Sequence, residues 1–253
     1  MTRISGHTLI ATPCCKSIYK TVVYGSMNYS ASGIWTDGEK ENSLSPTDGG
    51  LRLCQCGKAF LLYEATDLKL SNRDDTPFPP YVSPEEFPKA IATALNKHVE
   101  VTARRNYWRH LNDAYRVKYR EHQEKKIAIK RKLWRRVSYG SLLILQRAVR
   151  ILRRSEPQWI TAKLKRPFTV PPYSPTTEQI DNMKQLLKLI KSGAEEPFEA
   201  DGTEIVELYR ELGQFEKAKE ALSLCTEDYQ ATRKRVITEQ IDQRSNAPIR
   251  YRG

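Results

Sequence analysis

The sequence predicts an α+β protein. A small β domain, long basic helices and a C-terminal helical hairpin follow one another along its 253 residues. Three observations predict this. Four of the five cysteines fall in two tight pairs, Cys14-Cys15 and Cys54-Gln55-Cys56, inside a first segment rich in β-branched and aromatic residues. The net charge of +12 belongs to one stretch: residues 103–154 carry 17 Lys and Arg against 3 Asp and Glu, whereas 1–102 (10 against 11) and 155–253 (15 against 16) are nearly neutral. Beyond residue 175, apolar residues recur at helical spacing.

Hydrophobic residues make up 39% of the chain and charged residues 28%, with a mean hydropathy of −0.62. This balance implies a modest core with long solvated helices. No apolar run approaches the roughly 18 residues of a membrane-spanning helix, and MTRISGHTLIATP lacks the apolar stretch of a secretory signal. A cytoplasmic location is the expectation that follows. In a reducing compartment, paired thiols bind metal more often than they form disulfides.

Taken in order, HTLIAT, SIYKTVVY and CGKAFLLYEAT read as strands, and TDGEKENSLSPTDGG as a long polar loop, giving a β domain over residues 1–70. MNYSASGIWTDG groups Asn28, Tyr29, Trp35 and Asp37; it reads as an insertion anchored by Trp35, the alternative being the lining of a small-ligand pocket. A Pro-rich linker over 71–83 ends at Ser83-Pro84-Glu85-Glu86, a helix start with Ser at the N-cap and Glu at the third position. One or two long helices are expected from there to Gly140, within a basic helical region over 84–154. FTVPPYSP is a second extended linker. Ile180, Met183, Leu187 and Ile190 then line one helix face, with Gly193 suited to its C-terminal cap. Helices over 203–212, 215–224 and 227–242 complete a C-terminal helical domain over 175–245.

The cysteine pairs carry the most specific chemistry. Zinc is held in a tetrahedron of four ligands, and thiolates serve well. LRLC and KAFLL form the arms of a hairpin in which Gly57 supplies a positive φ behind Cys54 and Cys56. The pattern resembles a zinc ribbon, two cysteine knuckles joined by short strands. The resemblance implies a structural Zn2+ bound by Cys14, Cys15, Cys54 and Cys56. It departs from the usual Cys-x-x-Cys-Gly knuckle, because adjacent cysteines on an extended strand point to opposite faces. The chain must therefore bend between Cys14 and Cys15, or His7 must replace one thiolate. Four thiolates leave no open position for a reacting water, so metal catalysis is not expected. A small β domain has too little core to hold itself together, which makes the metal's role structural. Cys225, near Leu222 and Leu224, reads as a core residue.

The basic segment interleaves cations with Tyr107, Trp108, Tyr115, Tyr119 and Trp134. Arg104, Arg105, Arg109, Lys125, Lys126, Lys130, Arg131, Lys132, Arg135 and Arg136 are the candidate contacts to a phosphate backbone, with the aromatics available for stacking on bases. An acidic protein surface is the alternative partner, and a simply solvated helix the alternative to both. Further on, Leu142, Leu145, Val149 and Leu152 form an amphipathic stripe flanked by Arg147, Arg150, Arg153 and Arg154. It suits packing against the protein or a partner helix, and less well an anionic membrane surface. His98, His110 and His122 are 12 residues apart and cannot share a ligand. No phosphate loop, His-Glu-x-x-His motif or nucleophile elbow occurs.

LYRELGQFEKAKEAL resembles the tetratricopeptide repeat at Leu212, Gly213, Phe215, Ala218, Ala221 and Leu222. The resemblance covers one hairpin and implies helix–turn–helix packing. The overall order, from cysteine-paired ribbon through basic helices to repeat-like hairpin, resembles bacterial proteins of uncharacterised function and implies no activity. The sequence thus points to a non-enzymatic, zinc-binding accessory protein that docks nucleic acid or another polyanion through its basic segment. The alternative is an adaptor that joins a protein complex through the hairpin and the amphipathic stripe.

Overall fold

The computed structural model describes residues 2–43, 46–71, 75–139, 172–193, 202–225 and 231–251; within these, the side chains of residues 70–71, 126, 130 and 132–139 are not described. Two compact units result, Met1–Asn112 with Ser174–Gly253 and, separately, Asp113–Tyr173. The protein is α+β, with small antiparallel sheets and helices.

In the first unit, β1 (Arg3–Ala11) pairs with β2 (Ile18–Ser26) and, on its other side, with β7 (Thr66–Ser71). The hairpin β5 (Leu51–Leu53) and β6 (Ala59–Leu61) pairs Leu53 with Ala59. The sequence reading finds β1, β2 and the β5–β6 hairpin; CGKAFLLYEAT, read as one strand, is instead β6, a 3-10 turn (Leu62–Glu64) and the start of β7. It misses a third sheet, in which β3 (Gly33–Trp35) lies between β4 (Lys40–Glu41) and β8 (Arg250–Tyr251). It occupies part of the stretch expected to be loop, and its strands are too short to produce a periodic signal. Trp35 is fully buried there, and its indole N–H donates to Glu41 Oε1 at 3.0 Å.

The helical start at Ser83 is a 3-10 turn, Pro84–Glu86, in which the Ser83 amide donates to Glu86 Oε2 at 3.0 Å. Regular helix begins with α1 (Phe87–Ala92). It stops because residues 93–95 run alongside β6: the Ala59 amide donates to the Thr93 carbonyl (3.2 Å) and the Leu95 amide to the Ala59 carbonyl (3.3 Å). Asn96 then caps α2 (Lys97–Leu111), its side chain accepting from the Val99 amide at 3.0 Å. α3 (Asp113–Tyr139) follows, so the expected one or two long helices are three helices.

In the C-terminal part, Thr176 and Gln179 form a reciprocal capping box at the start of α4 (Thr177–Lys191). α5 (Gly202–Glu211) and α6 (Phe215–Ser223) are joined through Gly213, whose φ of 72° is the left-handed conformation a glycine adopts without steric cost. α7 (Ala231–Asp242) packs with them through Val206, Ala218, Ile237 and Ile241. Cys225 packs at the margin of this cluster.

α2 is the axis of the first unit. Val99, Ala103 and Tyr107 join Leu51, Leu53, Ala59 and Leu61 in one core. Val101 and Trp108 join Met183, Leu186, Ile190 and Leu208 in another. A helix gripped on both flanks has little solvated surface. The sequence boundary that groups α2 with a basic region over 84–154 therefore differs from the structural one, in which α2 belongs with the sheets and the C-terminal helices. Among the described residues, no helix is long and apolar enough to cross a membrane.

Candidate metal centre and basic surfaces

Two hairpin loops carry the four cysteines. The first, residues 12–17, joins β1 to β2 directly after the Ala11–Ile18 pair. The Thr12 amide donates to the Ser17 carbonyl (3.0 Å) and the Lys16 amide to the Thr12 carbonyl (3.1 Å), while Lys16 takes a φ of 61°. This tight turn supplies the bend that adjacent cysteines require. The second loop, Cys54–Lys58, is closed by the Cys54 amide on the Lys58 carbonyl (2.9 Å) and the Gly57 amide on the Cys54 carbonyl (2.8 Å), with Gly57 at φ 82°.

The loops face one another. Cys15 Sγ lies 3.3 Å from Cys54 Sγ, Cys14 Sγ 3.4 Å from Cys56 Sγ, and Cys14 Sγ 3.9 Å from Cys15 Sγ. All four sulfurs fall within 4.8 Å of one another, an arrangement that could hold a metal ion. A tetrahedron with metal–sulfur bonds of about 2.3 Å has edges of about 3.8 Å, so the spacing suits such a set. None of the cysteines is in a disulfide. His7, the alternative ligand, is not in the group; its ring sits edge-on against Phe78 with centroids 5.6 Å apart.

Polar groups around the sulfurs tie the loops together. Gln55 Nε2 donates to Ser17 Oγ at 2.7 Å, and the Gln55 amide donates to the Tyr19 hydroxyl at 3.0 Å. Ser17 Oγ in turn lies 3.0 Å from Cys15 Sγ. As free thiols the cysteines are not equivalent. Burial, reinforced by the neighbouring sulfurs, pushes Cys14 up to about 12, against the pull of Thr12. The hydroxyl and amide of Ser17 bring exposed Cys15 down to about 6. Burial raises Cys54, but hydrogen bonds led by the Cys56 amide outweigh it and leave this thiol below its ordinary value. At pH 7, Cys15 is therefore mostly thiolate and Cys14 a thiol, and a cation can bind all four sulfurs only if Cys14 loses its proton. Calorimetric titration in buffers of different ionisation enthalpy is expected to show at least one proton released per ion at pH 7. Affinity is expected to fall as the pH drops through 6, because protons then compete for Cys15.

The candidate basic residues divide by unit. On α2, Arg104 pairs with Glu100 at 2.8 Å and reaches Asn182 Oδ1 at 3.4 Å. Arg105 pairs with Glu204 at 2.8 Å, both side chains being largely buried. Arg109 donates to the Asp37 carbonyl at 3.2 Å, and burial pulls its pKa below the ordinary guanidinium value. These three cations thus each meet a partner within the first unit, unlike the solvated cations of α3. On α3, Lys125 and Arg131 are exposed, as are Lys118 and Arg120, which the sequence reading did not select. Lys126, Lys130, Lys132, Arg135 and Arg136 lie on the α3 backbone, their side chains outside the described set. The stripe from Leu142 to Leu152 lies outside the described residues.

One polar cluster escapes a motif search. Glu207 and Arg210 are fully buried and joined by two hydrogen bonds, Arg210 Nε to Glu207 Oε2 (2.8 Å) and Nη2 to Oε1 (2.5 Å). Beside them, Glu211 accepts from Trp108 Nε1 at 2.8 Å and from Asn112 Nδ2 at 3.2 Å, and Asn112 Nδ2 also donates to Asp37 Oδ2 at 2.9 Å. Burial, with repulsion from Glu207 and Asp37, pushes Glu211 well above the ordinary carboxylate range. No sequence signal marks it: Glu207 and Glu211 stand four residues apart on the polar side of α5, opposite Ile205 and Tyr209, a pattern that reads as a solvated face. Comparison of the chain with protein-family models, with curated proteins and with solved structures finds no match.

Proposed function

We propose that this chain is a non-enzymatic accessory protein in which Cys14, Cys15, Cys54 and Cys56 hold a structural Zn2+, and α3 offers a basic surface to nucleic acid or another polyanion. The gathering of four sulfurs from two facing hairpin loops carries the metal half of this reading. It is also the feature on which the ribbon-like reading of the amino-terminal module rests. Zinc suits the role because it takes a closed tetrahedral thiolate set and has no redox chemistry of its own. Iron takes the same donors, so metal analysis with a visible spectrum decides between them: a colourless protein with one zinc per chain is the expected result. When bound, the ion crosslinks the β1–β2 and β5–β6 loops; the residues around it supply orientation and no reacting position.

For the polyanion half, α3 holds ten Lys and Arg against three Asp and Glu over 27 residues. Like charges at helical neighbour positions repel one another, and a phosphate backbone would relieve that repulsion while releasing counterions. Binding would rest on phosphate contact and read little sequence. The affinity for single-stranded RNA and for DNA is expected to fall steeply with salt. Lys125→Glu with Arg131→Glu should weaken it at least about tenfold, since each lost phosphate contact lowers the salt slope by about one. Arg104→Gln should change it little. Salt-independent affinity would reject the mechanism; partners retained at high salt would favour the adaptor role instead.

A further inference from the structure

Residues 76–82, Thr-Pro-Phe-Pro-Pro-Tyr-Val, cross the first unit as an extended strap. Pro77, Pro79 and Pro80 fix φ at about −65° and hold the residue before each of them extended. A polyproline helix turns once in three residues, and the strap shows that period. Pro79 is buried and Thr76 and Val82 are half-buried, whereas Pro77, Phe78, Pro80 and Tyr81 are exposed. The backbone repeats it: the Lys20 amide donates to the Pro77 carbonyl (3.0 Å) and the Leu53 amide to the Pro80 carbonyl (3.2 Å). Phe78 and Tyr81 therefore stand on one edge, about 9 Å apart for a rise of roughly 3.1 Å per residue.

Both rings are held from beneath. Lys20 Nζ sits 4.8 Å from the centroid of Phe78, and the Arg52 guanidinium 3.9 Å from that of Tyr81. Arg52 is itself fixed by Asp48 at 2.6 Å. With a cation against one face, Phe78 is still 45% exposed and Tyr81 67%. The surface continues onto the β1–β2 pair. The His7 ring packs edge-on with Phe78, His7 pairs with Val22, and Ile4 pairs with Tyr24. Lys20, Val22 and Tyr24 alternate onto one face of β2, so exposed Ile4, His7 and Tyr24 extend the patch begun by Phe78. β1, β2 and the loop joining them carry Arg3, Lys16 and Lys20 and no Asp or Glu. Asp67 of β7 accepts from Thr8, which alternation places on the opposite face, and Asp75 stands just before the strap.

We propose that this face binds single-stranded nucleic acid, with bases stacked on Phe78 and Tyr81 and the strand continuing across Tyr24. Aromatic rings set on a positively charged surface are the means by which proteins hold single strands with little regard to sequence. Cations against both rings, on strands that hold no carboxylate, favour a phosphate-bearing ligand over an apolar protein surface. The spacing selects against a duplex. Duplex bases lie about 3.4 Å apart and stay within their stack, whereas two rings about 9 Å apart take splayed, unstacked bases. The face belongs to the first unit and acts by stacking. It is thus separate from the charge-driven binding proposed for α3 in the other unit.

The test is fluorescence anisotropy of a labelled oligouridylate, and of an RNA duplex of matched length, titrated with the full chain. The single strand is expected to bind more tightly than the duplex. Phe78→Ala with Tyr81→Ala should weaken the single strand at least about tenfold, since each stacked base contributes severalfold to a hundredfold or so, and should leave the duplex unchanged. Phe78→Leu with Tyr81→Leu keeps apolar bulk without a ring and should weaken it equally. Phe78→Tyr with Tyr81→Phe keeps both rings and should restore it. All six side chains sit at exposed positions, and circular dichroism checks that each variant is folded. Lys125→Glu with Arg131→Glu should act differently, weakening strand and duplex together with a lower salt slope. Single-strand affinity unchanged in the alanine or leucine variant would overturn the proposal while leaving the α3 reading intact. So would self-association of the chain that the alanine variant abolishes with no loss of RNA affinity, because a second copy would then cover this face.

Discussion

Replacing Cys54 by serine, or stripping the chain with a strong chelator, is expected to melt the β1–β2 hairpin while leaving the helical cores in place. Structural zinc contributes about 10–16 kcal/mol in small peptide sites, as large as the whole net stability of an ordinary domain, about 5–15 kcal/mol. The hairpin has little else to hold it. Its strands are half exposed, and among the described residues the core cluster beneath them is Ile10, Tyr19, Cys54 and Phe60, edged by Cys14, Leu62, Ala65 and Leu95. The β5–β6 hairpin differs, because Leu51, Leu53, Ala59 and Leu61 are also packed against α1 and α2. Hydrogen exchange after chelation should therefore show protection lost across residues 4–24 and largely kept across 51–61. Equal loss in both would mean that the ion supports the entire unit, and no loss in either would remove the structural metal from the proposed function. Cys15→Ser takes away a ligand without vacating a core position, so it should loosen the same hairpin with a smaller effect on Phe60 and its neighbours.

Arg210→Met is expected to destabilise the first unit by about 3–5 kcal/mol, because it leaves a fully buried Glu207 without its cation. Arg210 also donates to the Ser245 carbonyl, so the segment after α7 loses an anchor too. Chemical denaturation followed by far-UV circular dichroism measures this directly. The neighbouring carboxyl should behave in the opposite sense. Glu211 has a folded-state pKa above its unfolded value, so the proton it holds favours folding fully below the unfolded pKa, about 4.3. That contribution fades as the pH rises from there toward the folded pKa. Glu211→Gln carries no such proton and keeps an oxygen for Trp108. It should raise stability at pH 7–8 and change it little near pH 4. A substitution that destabilises equally at both pH values would show that Glu211 acts through its shape alone.

The contrast between the cysteines and the arginines shows what could be read from the chain. The hairpin loops were legible because each is set by local residues: a turn between adjacent cysteines, and Gly57 behind Cys54 and Cys56. The helical cap at Thr176 was not recognised, but the apolar stripe of α4 and the glycines at 193 and 213 marked the C-terminal helices closely. The surroundings of Arg105 and Arg109 were not legible because they come from far along the sequence, Glu204 from α5 and the Asp37 carbonyl from the turn after β3. A helix clasped between two cores can carry many cations and still present few of them to water, and periodicity in one helix does not say what stands opposite. The β3–β4–β8 sheet was hidden for a similar reason: its outer strands are two residues long, and one of them begins at Arg250.

That late strand sets an order of events during synthesis. The β1–β2 loop and the β5–β6 loop are both synthesised within about the first quarter of the chain, so their four cysteines can come together early. Trp35 must wait. Its strand partner and the guanidinium that clasps Thr36 are translated some two hundred codons later, and closing so long a loop costs entropy that only the finished core can offset. A stalled or truncated product would therefore carry the four gathered cysteines beside an unsheathed tryptophan.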